Sequence, residues 1–167
     1  QLMDYNRKQA DGPVAREAVD LVELVENVVA AHSLPARAKL MHTELTLQAR
    51  RCLAEPALLI SVMDNLYSNA VHYGAESGNI RIHSYRHGEQ VRIDVANSGE
   101  PIPAAEKNMI FEPFYQGSHQ RKGAVKGSGL GLSIARDCVR QMQGELSLVD
   151  APAGQVCFRI TLPSAPE

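Results

Sequence analysis

The sequence predicts an α+β fold, a two-layer sandwich in which one mixed, mostly antiparallel sheet is covered on one face by helices. Two hairpins and one exclusion carry that prediction. Alternating segments near 79–85 and 90–97 flank Arg86-His87-Gly88-Glu89, the pattern of paired strands around a tight turn. A second pair, near 144–149 and 155–162, flanks Asp150-Ala151-Pro152-Ala153-Gly154. The run Gly127-Ser128-Gly129-Leu130-Gly131-Leu132 follows an aperiodic stretch instead of a strand. Its spacing is not GxGxxG, which argues against a doubly wound dinucleotide fold.

The elements follow in order. Residues 1–10 resemble the tail of a helix, stopped by Asp11-Gly12-Pro13. A short strand is expected over 14–19. Leu21, Leu24, Val25, Val28 and Val29 make a helical stripe that should end near Ser33-Leu34-Pro35. Met41, Thr43, Leu45 and Leu47 alternate as a strand. A long helix is predicted over 56–73, because Pro56 suits the first helical position and Glu55 precedes it. A short helix is expected after Pro103. Residues 116–126 are polar, basic and without period. Leu130, Ile134, Cys138 and Met142 then recur every fourth residue as one helix face.

Bulk properties bound the function. A chain of 167 residues is long enough for one domain with its own core. The net charge of −2 gives no sign of nucleic-acid binding. Cys52, Cys138 and Cys157 are an odd set without CxxC spacing, which points to free thiols in a reducing compartment. No apolar run is long enough to span a bilayer. The chain starts at Gln1, so it is expected to be a piece of something longer, and an upstream membrane anchor stays open.

Several residues invite chemistry. Glycines followed by a helix start suit an anion, since close backbone approach and unpaired N–H groups meet there. Asn65, Asn69, His72 and Tyr73 share one face of the 56–73 helix, while Leu59, Val62, Leu66 and Ala70 occupy the other. Asparagine is a poor interior helix residue. The face is either plainly solvated or the polar wall of a ligand cleft, where an amide oxygen can ligate Mg²⁺. Asn97 extends the Val91, Ile93, Val95 alternation inward. It is either a satisfied turn asparagine or a purine-reading amide at the bottom of a pocket. Phe111, Phe114 and Tyr115 bracket Glu112-Pro113 and serve either the core or the anchoring of a lid.

In this order the residues resemble the catalytic, ATP-binding domain of bacterial sensor histidine kinases, within the GHKL ATPase superfamily. Asn65-Leu66-Tyr67-Ser68-Asn69-Ala70 is similar to the asparagine box. Asn97 to Pro103 lies where the first glycine box belongs, Phe111-Glu112-Pro113-Phe114-Tyr115 resembles the phenylalanine box, and Gly127 to Leu132 the second glycine box. The resemblance covers about residues 14–163. It implies a Bergerat-type sandwich, with 1–12 as the tail of a preceding dimerisation helix and 13–167 as the catalytic domain with its lid at about 116–127. It implies ATP and Mg²⁺, with Asn69 as metal ligand and Asn69 and His72 as the catalytic pair. It places Asn65, Asn69, His72, Tyr73, Asn97, Gly99, Ile102, Lys126, Gly127, Ser128, Gly129, Leu130, Gly131 and Leu132 on the nucleotide. Arg121 and Lys122 are further phosphate partners in the lid. The implied partners are the dimerisation domain of the same homodimeric kinase and a cognate response regulator. The implied location is the cytoplasmic side of the bacterial inner membrane, with membrane contact only through upstream segments.

Three departures qualify the resemblance. Asn97 stands where the family has an adenine-reading Asp, so the hydrogen bond to adenine loses its charge, worth about 1 kcal/mol. Pro101 stands at a family glycine, and proline cannot take glycine-only dihedrals. None of His32, His42, His72, His83, His87 or His119 is followed by an acid, so the family's phosphoacceptor motif is absent from these residues. The alternatives are a nucleotide-binding scaffold without catalysis, or another GHKL ATPase or serine kinase.

Overall fold

A computed structural model describes residues 14–113, 115 and 131–166. The elements are β1 (Glu17–Asp20), α1 (Leu21–Ala31), α2 (Ser33–Ala38), β2 (His42–Leu47), β3 (Arg51–Ala54), α3 (Pro56–Tyr73), β4 (Asn79–His87), β5 (Gln90–Ser98), a 3-10 turn (Ala104–Glu106), α4 (Gly131–Gln141), β6 (Glu145–Val149) and β7 (Gln155–Pro163). Five strands form one sheet in the order β2-β4-β5-β7-β6. β2 runs parallel to β4, and the other three pairings are antiparallel. This is the mixed, mostly antiparallel sheet that the two hairpins predict.

The alternation of β5 and β7 sorts side chains cleanly. Val91, Ile93, Val95 and Asn97 are buried on one strand, and Val156, Phe158, Ile160 and Leu162 on the other. That inner face packs against α3, whose Leu59, Val62, Met63 and Leu66 are at most 1% exposed. Each such side chain contributes about 1.5–3 kcal/mol through burial. The outer face is polar, and Arg159 there holds Asp94 through Nε at 2.9 Å and Nη2 at 3.2 Å.

Helix starts follow local chemistry. Asp20 caps α1 by accepting from the Glu23 N–H at 3.1 Å. Glu55 caps α3 by accepting from the Ala57 N–H at 2.7 Å, with Pro56 at the first position. Local reading misses four details. The first strand begins at Glu17. Ser33-Leu34-Pro35 starts α2 instead of ending a helix, because a proline in the first turn loses no intrahelical bond. β3 goes unnoticed because only Cys52 and Ala54 face inward, both 0% exposed. It pairs with β1 in a separate two-stranded sheet. The helix expected after Pro103 is a single 3-10 turn. The expected helix tail over 1–12 lies outside the described residues.

Candidate functional site

The candidate site is spread along α3, whose middle faces Gly131 of α4 and whose end faces the end of β5. Helix α3 turns its apolar side to the sheet and leaves Asn65, Ser68, Asn69, His72 and Tyr73 half-buried. The Asn65 amide donates to the Ser61 carbonyl at 3.0 Å, which turns its side-chain oxygen toward α4. A Cβ placed on Gly131 would come within 3.2 Å of that oxygen. The first residue of α4 and the asparagine face of α3 are therefore in direct apposition, and the small glycine keeps the gap open.

At the far end of α3, the His72 and Tyr73 rings meet edge-on, 4.5 Å apart at 81°. His72 Nε2 is buried and, among the described residues, has no hydrogen-bond partner. A buried ring nitrogen without a partner is costly unless something else occupies its direction.

The floor comes from β5. Asn97 is only 5% exposed and sits in register between Ile80 and Val156. Its amide donates to the Ser98 carbonyl at 3.1 Å. The Ala75 N–H donates to the same Ser98 carbonyl at 2.8 Å, so the ends of α3 and β5 are laced together. Gly99 passes so close that a Cβ there would lie 3.1 Å from the Tyr73 carbonyl oxygen and 3.2 Å from Asn97 Nδ2. Its N–H donates to Gly154 O at 2.9 Å. Ile102 packs against the core beyond it.

Phe111 is core and anchor at once. It is 9% exposed, meets Phe158 edge-on at 6.1 Å, and carries the Arg136 guanidinium 4.8 Å above its ring. Arg136 belongs to α4, so this pairing ties the aromatic segment to the helix behind the glycines. The Tyr115 hydroxyl donates to Glu106, whose carboxylate pushes the phenol pKa up.

Of the expected set, Asn65 meets Gly131, and Gly99 lies against Tyr73 and Asn97; Asn69 and His72 share the half-buried face of α3, and Ile102 and Leu132 are half-buried. Phe114, Arg121, Lys122, Lys126, Gly127, Ser128, Gly129, Leu130 and the expected lid lie outside the described residues. Sequence reading missed Arg136, hidden among ordinary helix cations. It also missed Lys39, whose ammonium reaches the end of α3. Among the described residues no cluster of three His, Cys, Asp or Glu side chains is placed to hold a metal. A Mg²⁺ here would keep several of its waters and need only a few protein oxygens. Asn69, half-buried one turn from Asn65, carries an amide oxygen of that kind.

Residues 54–166 match the family described as histidine kinase-, DNA gyrase B- and HSP90-like ATPase, and the chain belongs to it. It is 72% identical over 165 residues to the sensor histidine kinase GlrK of Escherichia coli (strain K12), covering 99% of this chain and 35% of that protein. The chain thus spans about a third of the length of that curated relative. The solved catalytic domain of the histidine kinase ThkA is similar at 29% identity and a TM-score of 0.79, covering 92% of this chain and 100% of that one. ThkA in complex with the response regulator protein TrrA matches at 27% identity and a TM-score of 0.75, over 90% of this chain and 42% of that one.

Proposed function

We propose that this chain binds Mg-ATP and acts as the catalytic domain of a sensor histidine kinase, transferring the γ-phosphoryl group to a histidine on a separate dimerisation domain. The observation that carries this reading is the apposition of Gly131 with the side-chain oxygen of Asn65. The Nε2 of His72, about two turns further along α3 and without a hydrogen-bond partner among the described residues, supports an anionic occupant. Residues 13–167 form the catalytic domain, preceded by the tail of the dimerisation helix.

In this reading Asn97 accepts from the adenine amino group, with Gly99 and Ile102 against the base. Asn65 and Tyr73 line the nucleotide, and His72 donates to phosphate oxygen. Asn69 offers its amide oxygen to Mg²⁺, which would neutralise phosphate charge. Lys126, Gly127, Ser128, Gly129, Leu130, Gly131 and Leu132 enclose the phosphates at the hinge of a lid over about 116–127. Catalysis is then positioning and charge neutralisation, as phosphoryl transfer generally requires.

The complex of ThkA with TrrA supports a response regulator as partner. The second partner is the dimerisation domain of the same homodimeric kinase. The chain works on the cytoplasmic side of the inner membrane, tethered through upstream segments of the whole protein.

The test uses the purified chain with radiolabelled ATP. It should bind Mg-ATP, leave itself unlabelled, and label a separately supplied helical domain carrying the acceptor histidine. Acid-labile label on the chain itself, or free phosphate released without an acceptor, overturns the assignment.

A further inference from the structure

Helix α3 leaves its last carbonyls without partners inside the helix, and these lie beside His72 and Tyr73. The Gly74 N–H takes the Ala70 carbonyl at 2.9 Å. Two of the others, with the carbonyl of Gly74 just past the helix, are reached from a distant segment. Lys39 Nζ donates to the carbonyls of Val71 at 2.8 Å, His72 at 2.9 Å and Gly74 at 2.8 Å. An ammonium carries three N–H donors, and here its charge sits at the negative end of an 18-residue helix.

The backbone around Lys39 is built to hold it there. Leu40 adopts φ 56°, a left-handed conformation that a leucine rarely takes, and its side chain is 70% exposed. The Ser77 N–H donates to the Lys39 carbonyl at 2.8 Å, and the His42 N–H to the Gly78 carbonyl at 3.0 Å. A Cβ on Gly74 would collide with Met41 Cε. The connection between α2 and β2 is thus strapped under the end of α3, at the cost of an unfavourable leucine.

We infer that Lys39 is a positioning residue of the nucleotide site: it pins the last turn of α3 so that His72 presents its buried Nε2 to the polyphosphate of a bound nucleoside triphosphate. This rests on the nucleotide reading above. Lys39 acts through the backbone of the turn and touches no phosphate. Removing the ammonium frees the carbonyls of residues 71, 72 and 74 to seek water, which lets the turn fray and His72 swing.

A double-mutant cycle tests it on the 167-residue chain, by calorimetric titration with Mg-ATP and a thermal melt of each variant. Binding by the unmodified chain is measured first, and its failure overturns the nucleotide reading itself. Lys39→Met should then weaken Mg-ATP about tenfold, as expected for losing charged hydrogen bonds that hold a contact residue. Lys39→Arg should recover part of the loss. In a His72→Ala background the same Lys39→Met change should cost twofold or less on the order-of-magnitude scale of coupled neighbours. A merely structural lysine would cost the same factor in both backgrounds, and that result overturns the inference, as does unchanged affinity in a folded Lys39→Met chain. If Lys39→Met does not hold its fold, Lys39→Gln, which keeps two N–H donors, carries the same cycle to the same two outcomes.

Discussion

The wall and the floor of the cleft both use asparagine, under opposite physical conditions. On the wall, Asn65 and Asn69 stand half-buried on a helix, and the Asn65 amide is satisfied by its own helix through Ser61. On the floor, Asn97 lies in a buried row of the central sheet, only 5% exposed, and its amide is satisfied by the neighbouring Ser98 carbonyl. A wall residue can change with little effect on the fold, because water reaches the vacated space. A floor residue cannot, because any new polar group there must find a partner or be desolvated. Affinity should therefore change alone at the wall, whereas at the floor stability should change as well, in the opposite direction where a charge is introduced.

The largest expected effect lies on the wall. Asn69→Ala should weaken Mg-dependent ATP binding by roughly 10- to 100-fold, the worth of an interaction with a charged group at about 1.5–3 kcal/mol. Its melting temperature should stay within a few degrees of the parent, as for a helix substitution outside the core. Titration with and without Mg²⁺, beside a thermal melt, checks both halves. An equal loss without the metal would move the metal ligand elsewhere.

The floor should behave differently. Asn97→Asp should tighten ATP about fivefold, because a charged acceptor exceeds a neutral one by about 1 kcal/mol. The same change should lower the melting temperature of the empty protein, since a buried carboxylate is desolvated there. Opposite movements of affinity and stability at this single position would establish the contrast, and parallel movements would remove it.

A smaller effect is expected where the two helices touch. An alanine at Gly131 would place its methyl 3.2 Å from the Asn65 oxygen, so the amide must yield by a few tenths of an ångström. Gly131→Ala should therefore cost a few-fold in ATP affinity, while helix propensity offsets any loss of stability by up to about 1 kcal/mol. A titration paired with a melt distinguishes this from a collapsed site, in which both would fall.

The smallest effect concerns pH. Burial pushes the Asp137 carboxyl up from the usual value of 3.8, with Arg140 pulling it back. A raised folded value means the folded state prefers the protonated acid, so this contribution is present below 3.8 and is lost as the pH rises through the folded value. Asp137→Asn should raise the melting temperature slightly at pH 7, and the gain should fade as the buffer is acidified through the folded value and be gone below about pH 4. Melts across that range decide it, and a gain that persists in acid would assign the effect to something other than charge.

Much of this was legible in the order of residues. Helix α3 announces itself through Pro56, the Glu55 cap and a clean apolar stripe, and its polar face follows from a helical repeat alone. Asn97 points inward because β5 alternates without interruption. β3 was not legible, since four residues with two small inward side chains carry too little pattern. Arg136 was not legible either, because a cation over an aromatic ring depends on a partner far along the chain.

What local spacing decides are periodicity, caps and turns, because each depends on neighbours within a few residues. From these came the sandwich, the two hairpins and the asparagine face. Contacts between segments distant in sequence belong to the tertiary structure. Nothing near Lys39 foretells that its ammonium will close a helix ending more than thirty residues later, with a sequence separation of 32 to its first carbonyl partner. Nor does the glycine pattern alone bring Gly131 against Asn65. Those meetings follow from burying one sheet face under α3 and α4, and the packing of that core is what turns a row of polar side chains into a cleft.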